Sequence, residues 1–430
     1  MNRYDKEYIE SLQKLIGIKS VKFDGVDSYE AVPGKPFGEG IADALNYTLN
    51  LCESIGMDVK NCDGYAGYAE TGQGDDLLGV LMHLDVVPEG NDWDFPPYGG
   101  EIHDGKLYGR GAIDDKGPAI AVIYAIKELV DEGYEFNKRV RLIFGCDEEN
   151  DWECMDYYVA NEECPDFGFT PDADFPMIYG EMGIMDAEFV IDVPEKETLV
   201  ISGGDASNAV PDHCKAVKGE EIVAEAYGVA AHASTPWEGE NAISKVMSEL
   251  SAVECSDEMK NFIRFYNDKI GFAIHGEHIG CGFEDEETGK LTFNAGVISV
   301  KENQVRLAVD LRIPVTVEAE QVCGNLEKAA AEYGIRLENY GFMDPVFSPK
   351  DSKLAKTLLD VYRDYTGDSS DPLTMGGGTY ARAMPNVVAF GPLFPGRKAT
   401  EHMKNEYIPV SDLMDIKEIY KRAIKELCEG

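Results

Sequence analysis

Two apolar runs constrain this chain more than anything else in it: Leu77–Leu84 (LLGVLMHL) and Arg139–Phe144 (RVRLIF). Runs of this kind are strands covered on both faces. Each leads straight into acids, with Asp85 just beyond the first and CDEEND, carrying Asp147, Glu148 and Glu149, after the second. Between them, Pro118–Glu132 places Ile120, Ile123, Tyr124, Ile126 and Val130 at helical spacing, with Gly133 as a stop. Strand, helix, strand in this order predicts an open α/β sheet. Ligands in such sheets bind beyond the carboxyl ends of the strands. His83–Asp85 and Asp147–Glu149 are therefore expected on one rim.

The residue types at that rim are those that hold a divalent metal. His83 and Asp85, two apart on a strand, share a face, so Asp85 can accept the proton of the imidazole nitrogen that a metal leaves free. Asp114 and Asp115 sit between Gly109-Arg110-Gly111 and Lys116-Gly117, where glycines permit close backbone approach. The spacing of a phosphate loop is absent there. Glu148 and Glu149 are consecutive and must diverge, so one can bind metal while the other faces water. Asp172, in TPDADFP, is held between prolines, and His402 lies in TEHMKNE. Taken singly, each of these reads more readily as a turn, a cap, a solvated surface acid or a structurally bonded histidine.

A chain of 430 residues is too long for one ordinary core. Helices are expected at residues 4–16 and 40–55, and a strand pair at 57–70. Near Gly183 the pattern changes to strands of period two, MDAEFVIDV, EIVAEAYGV, TFNAGVISV and QVRLAVDLRIPV, with helices at 241–253 and 317–333. From Ser352 the α/β manner returns, with a helix to Tyr365, a strand at 386–391 and a final helix at 411–427. The expected architecture is α/β: a discontinuous catalytic domain, residues 1–182 and 350–430, with a central, mostly parallel sheet between helices. Residues 183–349 form an inserted α+β lid domain with an antiparallel sheet.

Composition narrows the partners. A formal net charge of −41 argues against nucleic acid and anionic membrane. No apolar run approaches the roughly 20 residues needed to span a bilayer. The amphipathic N-terminus lacks the apolar core of a signal peptide, and the ten cysteines include no C-x-x-C pair. A cytoplasmic location with reduced thiols is expected. Any metal must then be held by His, Asp and Glu. A calcium store is disfavoured, because no D-x-D-x-D-G loop occurs.

Ordered motifs carry a resemblance along nearly the whole chain: PFGEGI, DGYAGYAE, HLDVVP, GRGAIDDKGP, DEEND, TPDADFP, SNAVPDH, GVAAHAS, LRIPV, GGGTYAR and HMKNE. Together they resemble the M20 family of di-metal aminoacylases and peptidases, and within it the bacterial dipeptidase V branch. The resemblance implies two divalent ions per chain, zinc being the first expectation and manganese or cobalt the alternatives. Asp114 would bridge them, with His83 and Asp172 completing one site and Glu149 and His402 the other. Two divalent charges would be balanced by three carboxylates and a bridging hydroxide. Glu148 would be the general acid/base, Asp85 the orienting acid, and the Asp114–Asp115 peptide cis.

The resemblance also implies that His232 stabilises the oxyanion and Asn208 contacts substrate. Arg312 would clamp the substrate's C-terminal carboxylate with help from Gly377, Gly378 and Thr379. From the strand pattern alone, Val305, Leu307, Val309, Leu311 and Ile313 face inward, and Arg312 is a solvent-face residue paired with Asp310. The implied activity is hydrolysis of short peptides with a free carboxylate. An N-acyl amino acid deacylase or desuccinylase of the same family is the alternative, and a non-catalytic metal-binding protein the remote one. Monomer and lid-mediated homodimer both stay open, as does whether His232 acts in cis or in trans.

Overall fold

The computed structural model describes residues 3–22 and 32–429. The chain forms two compact units, one of Met1–Tyr179, Ser348–Leu373 and Thr379–Gly430, the other of Gly180–Phe347 and Thr374–Gly378.

In the first unit the strands lie in the order Asp58–Cys62, Ala66–Thr71, Arg139–Gly145, Leu77–His83, Phe167–Thr170, Val387–Ala389 and Ile178–Glu181. The centre is parallel: Leu77–His83 runs alongside both Arg139–Gly145 and Phe167–Thr170, and Val387–Ala389 follows Phe167–Thr170. The flanking pairs are antiparallel. All seven residues of Leu77–His83 are buried, as a continuous apolar run requires. At roughly 1.5–3 kcal/mol per large aliphatic side chain, this strand alone is a substantial part of the core. His83 pairs with Gly145, so the two strands end level and their acids emerge on one rim. Gly145 admits no side chain, because a Cβ there would lie 2.1 Å from the Tyr380 hydroxyl.

The helix Lys116–Asp131 packs against Leu77–His83, Arg3–Ile16 and Val410–Glu429. It opens with a fully buried lysine. The Lys116 ammonium donates to the carbonyls of Leu15 and Ile18 at 3.2 and 2.7 Å, capping the end of the first helix. Burial pushes its pKa down to about 7. Above that value the unfolded chain holds the extra proton, so this group makes stability rise with pH up to its ordinary value. Urea unfolding of metal-free protein at about pH 7.5 and about pH 9.5 should show a gain on the order of a few kcal/mol that Lys116→Met lacks.

The second unit is a seven-stranded antiparallel sheet. Its order is Glu221–Tyr227, His213–Lys218, Leu199–Gly203, Thr292–Lys301, Gln304–Ile313, Gly183–Asp192 and Arg336–Met343. Val305, Leu307, Val309, Leu311 and Ile313 face a core shared with Phe189, Val246, Met247, Phe262, Phe265, Val322 and Leu326. The last six come from the helices Ala242–Glu249, Asp257–Phe265 and Ala319–Ala331, two from each. Among the described residues no helix is long and apolar enough to cross a membrane.

Candidate metal centre

At the rim of the first unit the imidazole of His83 is 1% exposed, and its Nε2 lies 2.8 Å from Asp114 Oδ1 and 3.8 Å from Asp172 Oδ2. His402 Nε2 lies 3.0 Å from Asp114 Oδ2 and 3.0 Å from Glu149 Oε2. The two oxygens of Asp114 thus face two different imidazoles. Asp115 turns the other way, into the interior, where Oδ2 accepts the main-chain N–H of His83 at 3.2 Å. The peptide bond between these aspartates is cis.

Asp85 corrects one expectation. His83 Nδ1 hydrogen-bonds the main-chain carbonyl of Asp85 at 2.9 Å, while the nearest carboxylate oxygen is 3.7 Å away. That carboxylate instead accepts the N–H groups of Glu148 and Glu149, at 3.1 and 3.0 Å. The reason is local: the chain leaves the Arg139–Gly145 strand just before these residues, so their N–H groups need acceptors and a buried carboxylate supplies both. Asp85 therefore ties the two acidic loops of the rim together.

Electrostatics make the cluster short of positive charge. Burial, with repulsion from Asp114, pushes the Asp172 carboxyl well above its usual range. Burial does the same to Glu148, against the pull of His83, and raises Glu149. Burial opposes the charge on His402, but hydrogen bonds to Asp114 and Glu149 win and lift it to about 11. Asp114 is depressed despite its burial, because both histidines bond it. Two imidazoles and three carboxylates converging without a thiolate form a hard donor set that divalent cations neutralise. Ligand atoms of His83, Asp114 and Glu149 lie within 4.8 Å of one another, close enough for one ion. A second acidic group, Asp147, Asp151 and Glu153, differs in kind. There the Lys22 ammonium already bridges Asp147 and Asp151 at 2.8 and 2.9 Å.

The remaining candidates divide between the units. Thr379, in the first, is buried and its hydroxyl caps a short turn by accepting the Ala381 N–H. Asn208, His232, Arg312, Gly377 and Gly378 belong to the second. His232 Nδ1 accepts the Ser234 N–H at 3.2 Å and lies 2.7 Å from the Ser234 hydroxyl. An Nδ1 that accepts leaves the ring proton on Nε2. Arg312 is not on a solvent face: it is 4% exposed. It does pair with Asp310, through Nε and Nη2 at 2.8 and 2.7 Å, and Nη1 donates to the Gly376 carbonyl at 2.8 Å.

Residues 79–426 match the model of peptidase family M20/M25/M40. The chain belongs to that family. It is a peptide-bond hydrolase by class. A Bacillus subtilis (strain 168) protein named "Putative dipeptidase YtjP" is 39% identical over 99% of this chain and 98% of its own length. Among solved structures, an M20 family metallo-carboxypeptidase from Sulfolobus solfataricus has the same fold, with TM-score 0.64 and 18% identity over 99% of this chain and 100% of that one. The di-peptidase Dug1p from Saccharomyces cerevisiae gives TM-score 0.64 and 14% identity over 99% and 96%.

One residue of this M20 chain escaped the reading of its sequence. Glu406, four residues after His402, is fully buried. Its carboxylate accepts the N–H groups of Gly111, Ile113 and Asp114 at 3.1, 3.0 and 3.4 Å, and Arg110 Nη1 at 2.7 Å. Burial and repulsion by Asp114 push its pKa up to about 7 against these donors. The carboxylate thereby shapes the loop that presents Asp114. Removing one partner of a buried pair strands the other charge. Glu406→Ala should cost about 3 kcal/mol or more in urea unfolding, since Arg110 is 2% exposed.

Proposed function

We propose that this M20 enzyme is a metal-dependent dipeptidase acting on short peptides with a free C-terminal carboxylate. The arrangement that carries the reading is Asp114 turned to two imidazoles, with a protonatable Glu148 beside them. His83 and Asp172 would hold one divalent ion, Glu149 and His402 the other, and Asp114 would serve both. Ions bound there supply Lewis acidity that polarises a peptide carbonyl and acidifies water. Zinc suits the donors best, with manganese or cobalt as alternatives.

The chain's own groups do the rest. Glu148, its pKa lifted by burial, takes a proton from the attacking water and passes it to the leaving amine. The His232 Nε2–H donates to the carbonyl oxygen as charge develops on it. Arg312, whose Nε, Nη1 and Nη2 each donate once within this unit, keeps one N–H on each terminal nitrogen for a carboxylate. Gly377, Gly378 and Thr379 would line that carboxylate, and Asn208 would hold the peptide. The inserted unit then acts as the lid, and a grip on the terminal carboxylate limits substrate length. All ten cysteines are free, which supports a reducing compartment such as the cytoplasm.

Protein stripped of metal and reloaded with Zn²⁺ or Mn²⁺ should be assayed on β-Ala-His, ordinary dipeptides, their C-terminal amides and N-acyl amino acids. Hydrolysis of the free dipeptides and not of the amides is expected. A fully loaded protein that cleaves no dipeptide refutes the reading. Faster turnover of N-acyl amino acids makes it a deacylase instead.

A further inference from the structure

On the face of the second unit's sheet opposite its apolar core, four polar side chains are buried together. Thr292 pairs across the ladder with Arg312, and Asn294 with Asp310. Their exposures are 2%, 4%, 1% and 1% in that order. A buried polar group persists when it is bonded. Besides the Asp310–Arg312 pair and the Asn241 amide that reaches Asn294 Oδ1, the donors here run to main-chain carbonyls of three loops. The Thr292 hydroxyl donates to the Ala233 carbonyl at 3.1 Å. The Asn294 amide donates to the carbonyls of Ser207 and Ala209, both at 2.8 Å. Arg312 donates to Gly376.

These carbonyls belong to the immediate neighbours of the residues assigned to substrate. Ser207 and Ala209 flank Asn208, and Ala233 follows His232. The two loops also bond each other, through the Ala209–His232 bridge and the Ala233 N–H to the Asn208 carbonyl at 2.9 Å. Only the NH₂ end of an amide can meet two carbonyls, so the chemistry fixes the orientation of Asn294. Gly296, farther along the same strand, leaves room for this loop: a Cβ there would lie 2.3 Å from the Ser207 carbonyl oxygen.

We propose that Thr292 and Asn294 are positioning residues that hold the Asn208 and His232 loops as one substrate-binding bracket. The proposal rests on the roles given to Asn208 and His232 above. Neither positioning residue touches substrate. Each sets a loop from its own backbone, so its loss is read at the residue beside the lost bond. A displacement of about 1 Å at a reacting group costs up to about a hundredfold in rate. The loops retain their mutual bonds, so a smaller shift is expected.

The test is a pair of double-mutant cycles on a dipeptide that the metal-loaded enzyme hydrolyses. Thr292→Val keeps the shape and removes the hydroxyl; it should lower kcat about tenfold with KM within about twofold. Thr292→Ser restores the hydroxyl and should return kcat to within about twofold of wild type. In a His232→Ala background, Thr292→Val should cost less than about twofold more. Asn294→Ala should raise KM about tenfold, and Asn208→Ala should absorb that effect. The ring ¹⁵N signals of His232 should shift in Thr292→Val and return in Thr292→Ser, with metal content unchanged in both and only the modest fall in unfolding temperature that one unsatisfied buried carbonyl brings to Thr292→Val.

A Thr292→Val loss that persists undiminished in the His232→Ala background, or that Thr292→Ser does not repair, overturns the bracket. So does a wild-type rate in Thr292→Val beside a crippled His232→Ala. Should His232→Ala and Asn208→Ala themselves leave kcat and KM intact, the premise about those residues fails, and the bracket with it.

Discussion

Glu148→Gln is expected to lower kcat by about a thousandfold or more while the protein still binds its metals, because the proposed mechanism gives this one group the proton at both ends of the reaction. Burial lifts the Glu148 carboxyl well above its ordinary range, so it can hold a proton in a site that must also release one. A glutamine fills the same volume and can do neither. The backbone anchor of this residue, the N–H bonded to Asp85, survives the substitution. The loop and the neighbouring Glu149, the proposed ligand, should therefore stay in place. Measuring kcat beside metal content and unfolding temperature separates a lost proton carrier from a lost site. Activity within about tenfold of wild type, with metal bound, would remove Glu148 from the role.

The features legible in the sequence are those carried by local pattern. Leu77–His83 and Arg139–Gly145 announced themselves as buried strands, and their shared direction follows from the helix between them. Acids just beyond two adjacent parallel strands must meet at one rim. The period-two alternation of Gln304–Ile313 likewise placed its apolar residues on the core. The opposite face was less legible. Alternation says which side chains oppose the core and is silent on whether loops cover that side. Asp310 and Arg312 are buried because the segments near Ser207, Ala233 and Gly376 lie over them, and those contacts join residues distant in sequence.

The same limit explains the other differences. Asp85 was placed correctly at the rim, but its carboxylate serves the loop of Glu148 and Glu149 because those N–H groups lose their strand partners. Glu406 sat in the quoted HMKNE run yet carried no signal of its own, since its partners at Gly111 and Ile113 are nearly three hundred residues away. The helix Asp257–Phe265 had a signal that went unused: Ser256 caps it by accepting the Met259 N–H at 3.3 Å, followed by two acids in the first turn.

The adjacent aspartates give the second large effect. Asp114→Asn should weaken the binding of both ions at once, by more than about a hundredfold, since even hydrogen-bond partners of metal ligands are worth about 10- to 100-fold. An amide has one oxygen where the carboxylate has two, so it cannot face both His83 and His402 as an acceptor. It also brings no charge to offset a pair of divalent cations. Asp115→Asn is the control. That side chain is fully buried and turned away from His402 and Glu149, and burial pushes its carboxyl well above the usual range. An asparagine there keeps an oxygen for the His83 N–H. Metal content of the Asp115 variant should match wild type, and its activity should stay within about tenfold. Metal analysis after dialysis decides between the two residues. Equal retention in both variants, or a greater loss from Asp115→Asn, would show that the bridge lies elsewhere. Loss of both ions from Asp114→Asn alone makes this carboxylate the joint on which the two halves of the centre depend.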